Sequence, residues 1–201
     1  MDVGRPYHHG NLRAALLDAG VELARRGGPG SLALRDLARA AGVSASAVYR
    51  HFPDADHLVA EVAGRARREL AAAMIAGRNA IPPSTPAASR ARFEAIGEAY
   101  IRFAIREAPL FETAFMLVEA VPSEPEVPSA WQVLTDGLDE LVAAGLLAPP
   151  RRDEAPLVAW GAVHGVASIL ARRVLPLDMD ADEAIRLTLA AVAAGLGLAQ
   201  T

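Results

Sequence analysis

The sequence predicts an all-α protein. Of its 201 residues, 44 are alanine, the residue with the highest helix propensity. Isoleucine, threonine and the aromatic residues, which favour strands, are scarce. Apolar residues also recur at intervals of three and four, which is the spacing of one face of a helix. Because 52% of the chain is apolar, it can build the core of one ordinary domain or of two small ones.

Composition excludes several kinds of chemistry. The chain has no cysteine, which rules out disulfides, thiolate metal sites and a cysteine nucleophile. All 20 basic residues are arginine, which rules out Schiff bases and lysine-dependent phosphate loops. The histidines and acidic residues match no ligand spacing for zinc or calcium, so we expect neither a metal nor a cofactor.

Charge is distributed unevenly. Residues 1–53 hold seven arginines and four acidic residues, a local charge of +3, so the remainder must carry −7 to give the formal total of −4. A basic head on an acidic body suits a head that meets a polyanion. Residues 1–12 contain no apolar signal core, and the longest apolar stretch, 187–199, is short for a membrane span. We therefore expect a soluble cytoplasmic protein that does not enter a membrane.

Proline-rich joints at 81–86 and 121–128 divide the chain. We expect a head over residues 1–55, a connecting helix over 56–79 and a body over 88–201. The first helix is predicted to follow Asn11 as its cap, with an apolar face that recurs through 12, 16, 19 and 23. The glycine-rich run 27–30 ends this helix.

The next two helices have the spacing of a helix-turn-helix. Leu34, Leu37 and Ala38 mark a short helix that Gly42 ends, and Ser44 is placed to cap the helix that follows. A turn of about four residues separates the two helices.

The second of these helices is narrow enough to enter a DNA major groove. If Val43, Val48 and Phe52 pack inward, Ala45, Ser46, Tyr49 and Arg50 lie on the outer face, and Ala45 and Ala47 are placed to touch thymine methyls. Arg35, near the start of the preceding helix, reaches the backbone or a guanine. The spacing leaves a second interpretation open, in which Tyr49 and His51 are half-buried packing residues and the arginines are only solvated.

Three apolar stripes begin the body: Phe93 to Phe103, a helix over 110–120, and Trp131 to Val142. Such stripes either form plain core or line an apolar pocket. The residues expected to contact a ligand are Tyr100, Phe103, Phe115, Met116, Trp131 and His164.

Two final helices, over 153–174 and 180–198, are apolar almost all round. A small body cannot cover both on every side, so a second copy of the chain is expected to do so. This predicts a homodimer, with an interface that includes Trp160, Gly161, Gly165, Ser168, Leu187, Ala190 and Ala194.

His164 has Ser168 one turn on, which raises the question of catalysis. A nucleophilic serine needs a carboxylate to orient the imidazole and an oxyanion hole, and the sequence around this pair offers neither. We expect no enzymatic activity. His164 is then either a ligand contact or a packed, hydrogen-bonded histidine of the interface.

Several motifs resemble the TetR family of repressors. They are Leu34–Ala38, the run AGVSASAVYRHF at 41–52, Asp54 and Leu58. In addition, Tyr7–Arg13 and Trp160–Gly165 resemble a subgroup named for a Trp-His-Gly signature. The resemblance implies a homodimeric regulator whose heads bind a palindromic operator on double-stranded DNA and whose body binds a small-molecule effector. The family's DNA-facing positions fall on Arg35, Ser44, Ala45, Ser46, Tyr49, Arg50 and His51.

Two positions depart from the family pattern. Ala33 stands where a capping Thr or Ser is common, and Ala55 stands where a lysine usually meets the operator backbone. The expected function is that of a repressor released from DNA by a small, mostly apolar ligand. The alternatives are a ligand-independent architectural DNA-binding protein and, less favoured by the residues, a helical enzyme that uses His164.

Overall fold

The computed structural model describes residues 12–116, 128–173 and 180–198. Within these ranges the regular structure is entirely helical, which confirms the predicted fold class. Asn11, the predicted cap of the first helix, lies outside the described residues. In chain order the helices are α1 (Leu12–Gly27), α2 (Leu34–Ala41), α3 (Ala45–Tyr49), α4 (Ala55–Asn79), α5 (Pro86–Arg106), α6 (Ala108–Ala114), α7 (Ala130–Ala143), α8 (Ala155–Arg172) and α9 (Ala181–Leu196).

Helices α1, α2 and α3 form a head around a small core. Leu16, Leu37, Val48 and Phe52 are fully buried there. Helix α2 ends at Gly42, whose φ of 68° lies in the left-handed region that only glycine adopts without strain. The turn then places Ser44 to accept a hydrogen bond from the Ala47 N–H at 3.3 Å. The helix-turn-helix thus has the stop and the cap that the sequence predicts.

Helix α4 belongs to both the head and the body. Its 25 residues span about 37 Å at 1.5 Å per residue. Asp54 caps it by accepting from the His57 N–H at 2.9 Å. Near this end Leu58 and Val62 pack against Gly20 of α1, and near the other end Gly77 lets α4 approach the α5 backbone closely. A displacement of α4 therefore changes packing contacts in both the head and the body.

The body differs from the predicted stripes at α6. A helix over 110–120 was expected, but α6 begins at Ala108 and ends at Ala114. It starts earlier because Pro109 is tolerated in the first turn of a helix. It ends at Ala114 because Phe115 leaves helical geometry, with a φ of −108° and a ψ of 13°.

Ionic and hydrogen-bonding contacts tie the head to the body. Arg25 of α1 bonds to Glu69 of α4 at 2.9 Å and also to Glu107, the residue between α5 and α6. Burial alone would lower the pKa of Arg25, but the hydrogen bonds that Arg25 donates to these two carboxylates raise it overall. Arg67 of α4 donates to the Ala114 carbonyl at 2.9 Å. Helices α1, α4 and α6 are therefore joined directly.

Candidate DNA-binding face and ligand cavity

Helix α3 presents its polar residues to the outside of the head. Ala45, Ser46 and Arg50 are exposed, and 57% of the Tyr49 surface is exposed. Val48 is buried beneath them. The five residues of α3 divide between two sides of the helix, one packed against the core and one in solvent.

One prediction for this face needs revision. Ala47, expected to touch a thymine methyl, is buried against the core. The reason is helical phase, since Ala47 neighbours Val48 on the inward side of α3. His51 is half-buried, and its contact with DNA stays a prediction.

Ser44 and Ser46 form a small hydroxyl pair on the same face. Their oxygens are 3.0 Å apart, and Ser44 also accepts the capping bond from Ala47. Each hydroxyl has a donor hydrogen and two lone pairs, so the pair keeps capacity to bond a phosphate or a base edge. Ser44 therefore both caps α3 and takes part in the exposed face.

Arg39 is a candidate that the sequence analysis missed. It lies one turn after Arg35 on α2, its side chain is 80% exposed, and it pairs with Asp36 in the same helix. Residues four apart share a face of a helix, so Arg39 extends the basic surface that Arg35 begins. The four-residue spacing from Arg35 is the feature of the sequence that could have identified Arg39.

A cavity of about 400 Å³, including its open mouth, lies between α4, α5, α7, α8 and α9. Of the predicted ligand contacts, Tyr100 lines it. Trp160, predicted at the dimer interface, lines it as well. The other lining residues were not among the predicted ligand contacts, although Phe93, Ile96 and Leu134 lie within the predicted apolar stripes. They are Met74, Phe93, Ile96, Gly97, Leu134, Ala159, Val163, Leu189 and Val192.

An aromatic cluster adjoins the cavity. The His164 ring lies 4.7 Å from the Phe115 ring and 6.1 Å from Trp160, centroid to centroid, and Trp131 lies 5.6 Å from Trp160. Trp131 sits at its solvent edge, 45% exposed. Met116 is 41% exposed, and its contact with a ligand stays a prediction. Four predicted contacts, Tyr100, Phe115, Trp131 and His164, thus come together, whereas Phe103 is buried in the α5 core and does not line the cavity.

Tyr100 and His164 are hydrogen-bonded to each other, with Oη and Nδ1 2.7 Å apart. Burial lowers the pKa of His164, and the charge of Arg172 lowers it further. Burial also raises the pKa of Tyr100. Both groups are therefore neutral near pH 7, and Nδ1 faces a phenol and not the carboxylate that a catalytic histidine needs.

The outer surfaces of α8 and α9 are apolar and uncovered. Leu157, Val158 and Leu187 are 74%, 45% and 44% exposed. A Cβ added at Gly161 or Gly165 would meet no atom within 4 Å. By length and composition α8 could even cross a membrane, and only 28% of it is buried within the protomer.

The predicted interface residues divide between two environments. Gly161, Leu187, Ala190 and Ala194 are exposed, and Gly165 and Ser168 are partly exposed. Trp160 alone among them turns inward to the cavity.

Comparison with known proteins supports this description. The family model for bacterial regulatory proteins of the tetR family matches residues 16–62, and the model for the tetracyclin repressor-like C-terminal domain matches residues 93–192. Together the two models cover most of the chain. No curated protein sequence matches it.

Several solved structures share the fold. A protein of unknown function from Rhodococcus sp. RHA1 is 30% identical, with a TM-score of 0.79, over 96% of this chain and 100% of that one. A tetR-family transcriptional regulator from Streptomyces coelicolor is 23% identical, with a TM-score of 0.65, over 91% and 82%. The TetR family regulator PfmR from Thermus thermophilus is 20% identical, with a TM-score of 0.58, over 92% and 99%. With both family models placed on the head and the body just described, the chain belongs to the TetR family of bacterial transcriptional regulators.

Proposed function

We propose that this protein is a homodimeric repressor that binds a palindromic operator and is released from it by a small apolar ligand. The observation that carries the DNA-binding part is the outer face of α2 and α3. Arg35, Ser46, Tyr49 and Arg50 are exposed there, while Val48 directly beneath them is fully buried. A rigidly packed helix with donors on its free side is suited to the major groove.

The proposed dimer rests on the uncovered faces of α8 and α9. Exposed leucines and open glycines on adjacent helices suit close packing against the same helices of a second copy. Two-fold symmetry would then place the two heads on successive major grooves. A cytoplasmic location and membership of the Trp-His-Gly subgroup are part of the same proposal, the latter supported by the segment 160–165.

The proposed release mechanism runs through α4. Met74 is the one α4 residue among the described residues that line the cavity, and α4 begins at the edge of the head. A ligand that fits one position of Met74 better than another shifts the population of α4 positions, and with it the spacing of the heads. A tenfold loss of operator affinity needs about 1.4 kcal/mol of such differential binding.

The test is selection of duplexes from a random DNA pool with the full-length protein, followed by affinity measurements on the selected site. We expect a palindromic site and an Arg50→Ala variant that binds it at least tenfold more weakly, because each lost base contact costs about 1–3 kcal/mol. Arg68→Ala, at an exposed position about 20 Å along α4 from its first residue, is the matched control and should keep wild-type affinity. The DNA-binding proposal is wrong if no sequence is enriched. A protein that selects a site but never releases it would be the architectural DNA-binding protein instead.

A further inference from the structure

The wall of the cavity is almost entirely apolar. None of the described residues that line it carries a charge, and they are aliphatic or aromatic apart from Gly97. The hydroxyl of Tyr100 is bonded to His164, which does not line the cavity. The wall therefore offers a ligand apolar contact from every side and almost nothing to hydrogen-bond.

Two polar side chains beside lining residues are satisfied by other partners. Arg92, beside the lining residue Phe93, bonds to Glu140 at 2.7 Å and to the Arg78 and Ile81 carbonyls. Thr188, beside Leu189, donates to the Ala184 carbonyl at 2.7 Å. These bonds hold the donors away from a bound molecule.

We propose that the cavity binds only uncharged molecules, and that the part of the molecule inside it is a hydrocarbon group. The apolar lining on every side is the observation that supports this ligand class. The inference rests on the proposed function only in assigning the effector to this cavity. Carboxylates and ammonium ions of the same shape are excluded.

Desolvation is the physical basis of this selectivity. Burying an ion without a partner costs far more free energy than burying a hydroxyl without one, and burying a hydrocarbon costs none. Enclosed apolar cavities stay dry and bind small hydrocarbons. Polarity therefore subtracts from affinity here, in contrast to a site with a charged anchor.

The experiment compares three probes of one shape, naphthalene, 2-naphthol and 2-naphthoate, by equilibrium dialysis against the full-length protein at pH 7.5. We expect naphthalene to bind most tightly, 2-naphthol about fivefold or more weakly, and 2-naphthoate at least a hundredfold more weakly. Binding of 2-naphthoate within tenfold of naphthalene would overturn the proposal, as would no binding of naphthalene.

Two variants locate the binding in the cavity. A Cβ at Gly97 would lie 2.7 Å from Leu189 Cδ2 and 3.5 Å from Val163 Cγ2, so Gly97→Ala adds a methyl group against two lining residues and forces the Leu189 side chain to move. We expect this variant to bind naphthalene at least fivefold more weakly. Gly30→Ala is the matched control, because a Cβ there meets no atom within 4 Å. Equal binding by both variants would place naphthalene elsewhere and overturn the proposal.

Tyr100→Phe keeps the shape of the wall and tests for a polar anchor, with Tyr49→Phe in the head as its matched control. We expect both to bind naphthalene and 2-naphthol within twofold of wild type. A fivefold loss for 2-naphthol alone in Tyr100→Phe would show a hydroxyl anchor and overturn the proposal.

Operator binding, measured on the same samples, separates this proposal from the proposed function. Naphthalene that binds in the cavity without releasing DNA would support the ligand class and contradict the release mechanism. Release by 2-naphthoate bound in the cavity would support the mechanism and overturn the ligand class.

Discussion

Ala33 occupies the N-cap position of α2 without an oxygen to fill it. Its φ of −79° and ψ of 137° are the extended angles of a capping residue, but no side chain bonds the first N–H groups of the helix. Ser44, Asp54 and Thr85 supply that bond at α3, α4 and α5. Helix α2 carries Arg35, so the missing cap lies one turn or less from the proposed DNA contacts.

We expect Ala33→Ser to stabilise the protein by about 1 kcal/mol, since the backbone already has the geometry that a serine cap needs. Urea denaturation measures the change. Ala40→Ser, an exposed position inside the same helix, is the control and should stabilise nothing, because serine there has no free N–H to accept from. A gain in both variants, or in neither, contradicts the capping argument.

Burial opposes the protonation of His164. Its pKa in the folded protein lies below the usual 6.5, because burial and then Arg172 disfavour the imidazolium. The unfolded chain therefore takes up more protons between that lowered pKa and about 6.5, and stability falls as the pH drops through this window. The contribution is fully present above about pH 6.5.

We expect His164→Asn to lose less stability than wild type between pH 7.5 and pH 5, because asparagine keeps a polar partner for Tyr100 and does not titrate. Urea denaturation at a series of pH values gives the comparison. The two proteins should have parallel profiles above pH 7. Parallel profiles down to pH 5 would mean that His164 does not control the acid response.

Helix α4 is the element that joins the two parts of the molecule. Its first turn holds Ala55, which is exposed, and a later turn places Met74 in the cavity wall. Asp54 caps the helix, and the first turn holds Asp56 and no arginine. Hydrogen bonds from the side chain and the backbone of His57 hold the pKa of Asp54 below its usual value, so this carboxylate stays charged and faces any nearby phosphate as a like charge.

Ala55→Lys should restore one phosphate contact in each head. In a dimer the slope of log affinity against log salt should then become steeper by about 2, at roughly −0.9 for each neutralised phosphate. Ala72→Lys adds the same charge at an exposed position about 25 Å farther along α4 and should leave the slope unchanged. Salt titrations of operator binding measure all three proteins. Equal slopes for wild type and Ala55→Lys would remove α4 from the DNA contact.

The elements that sequence predicts well are those fixed by neighbours in the chain. Gly42 and Ser44 define the turn between α2 and α3 through local conformation and a capping bond, so the pattern alone locates them. Met74 joins the cavity wall only because α4 crosses α5 and α7, and no local pattern records that crossing. Trp160 was expected at the interface because the sequence of an all-apolar helix such as α8 does not show which side faces the core. Tertiary packing turns Trp160 inward.

At the scale of the whole molecule, the apolar surface of α8 and α9 is left in solvent in a single protomer. Leu157 and Leu187 lie largely in solvent, and the glycines between them leave room for another helix. Exposed patches of this kind mark an interaction surface. A second copy covers the patch and also sets the distance between the two heads, so oligomeric state and DNA affinity are linked.

We expect Leu187→Glu to weaken the dimer at least a hundredfold, because the two-fold axis would bury a carboxylate from each subunit without a partner, at a cost of several kcal/mol. Sedimentation equilibrium measures dissociation, and operator affinity should fall with it because a single head loses the effective concentration that its partner supplies. Met116→Glu places the same charge on a residue of similar exposure outside α8 and α9, 41% against 44%, and should leave the protein dimeric. A monomeric wild type, or a wild type that partitions into lipid vesicles through α8, would show that this surface serves something other than a second copy of the chain.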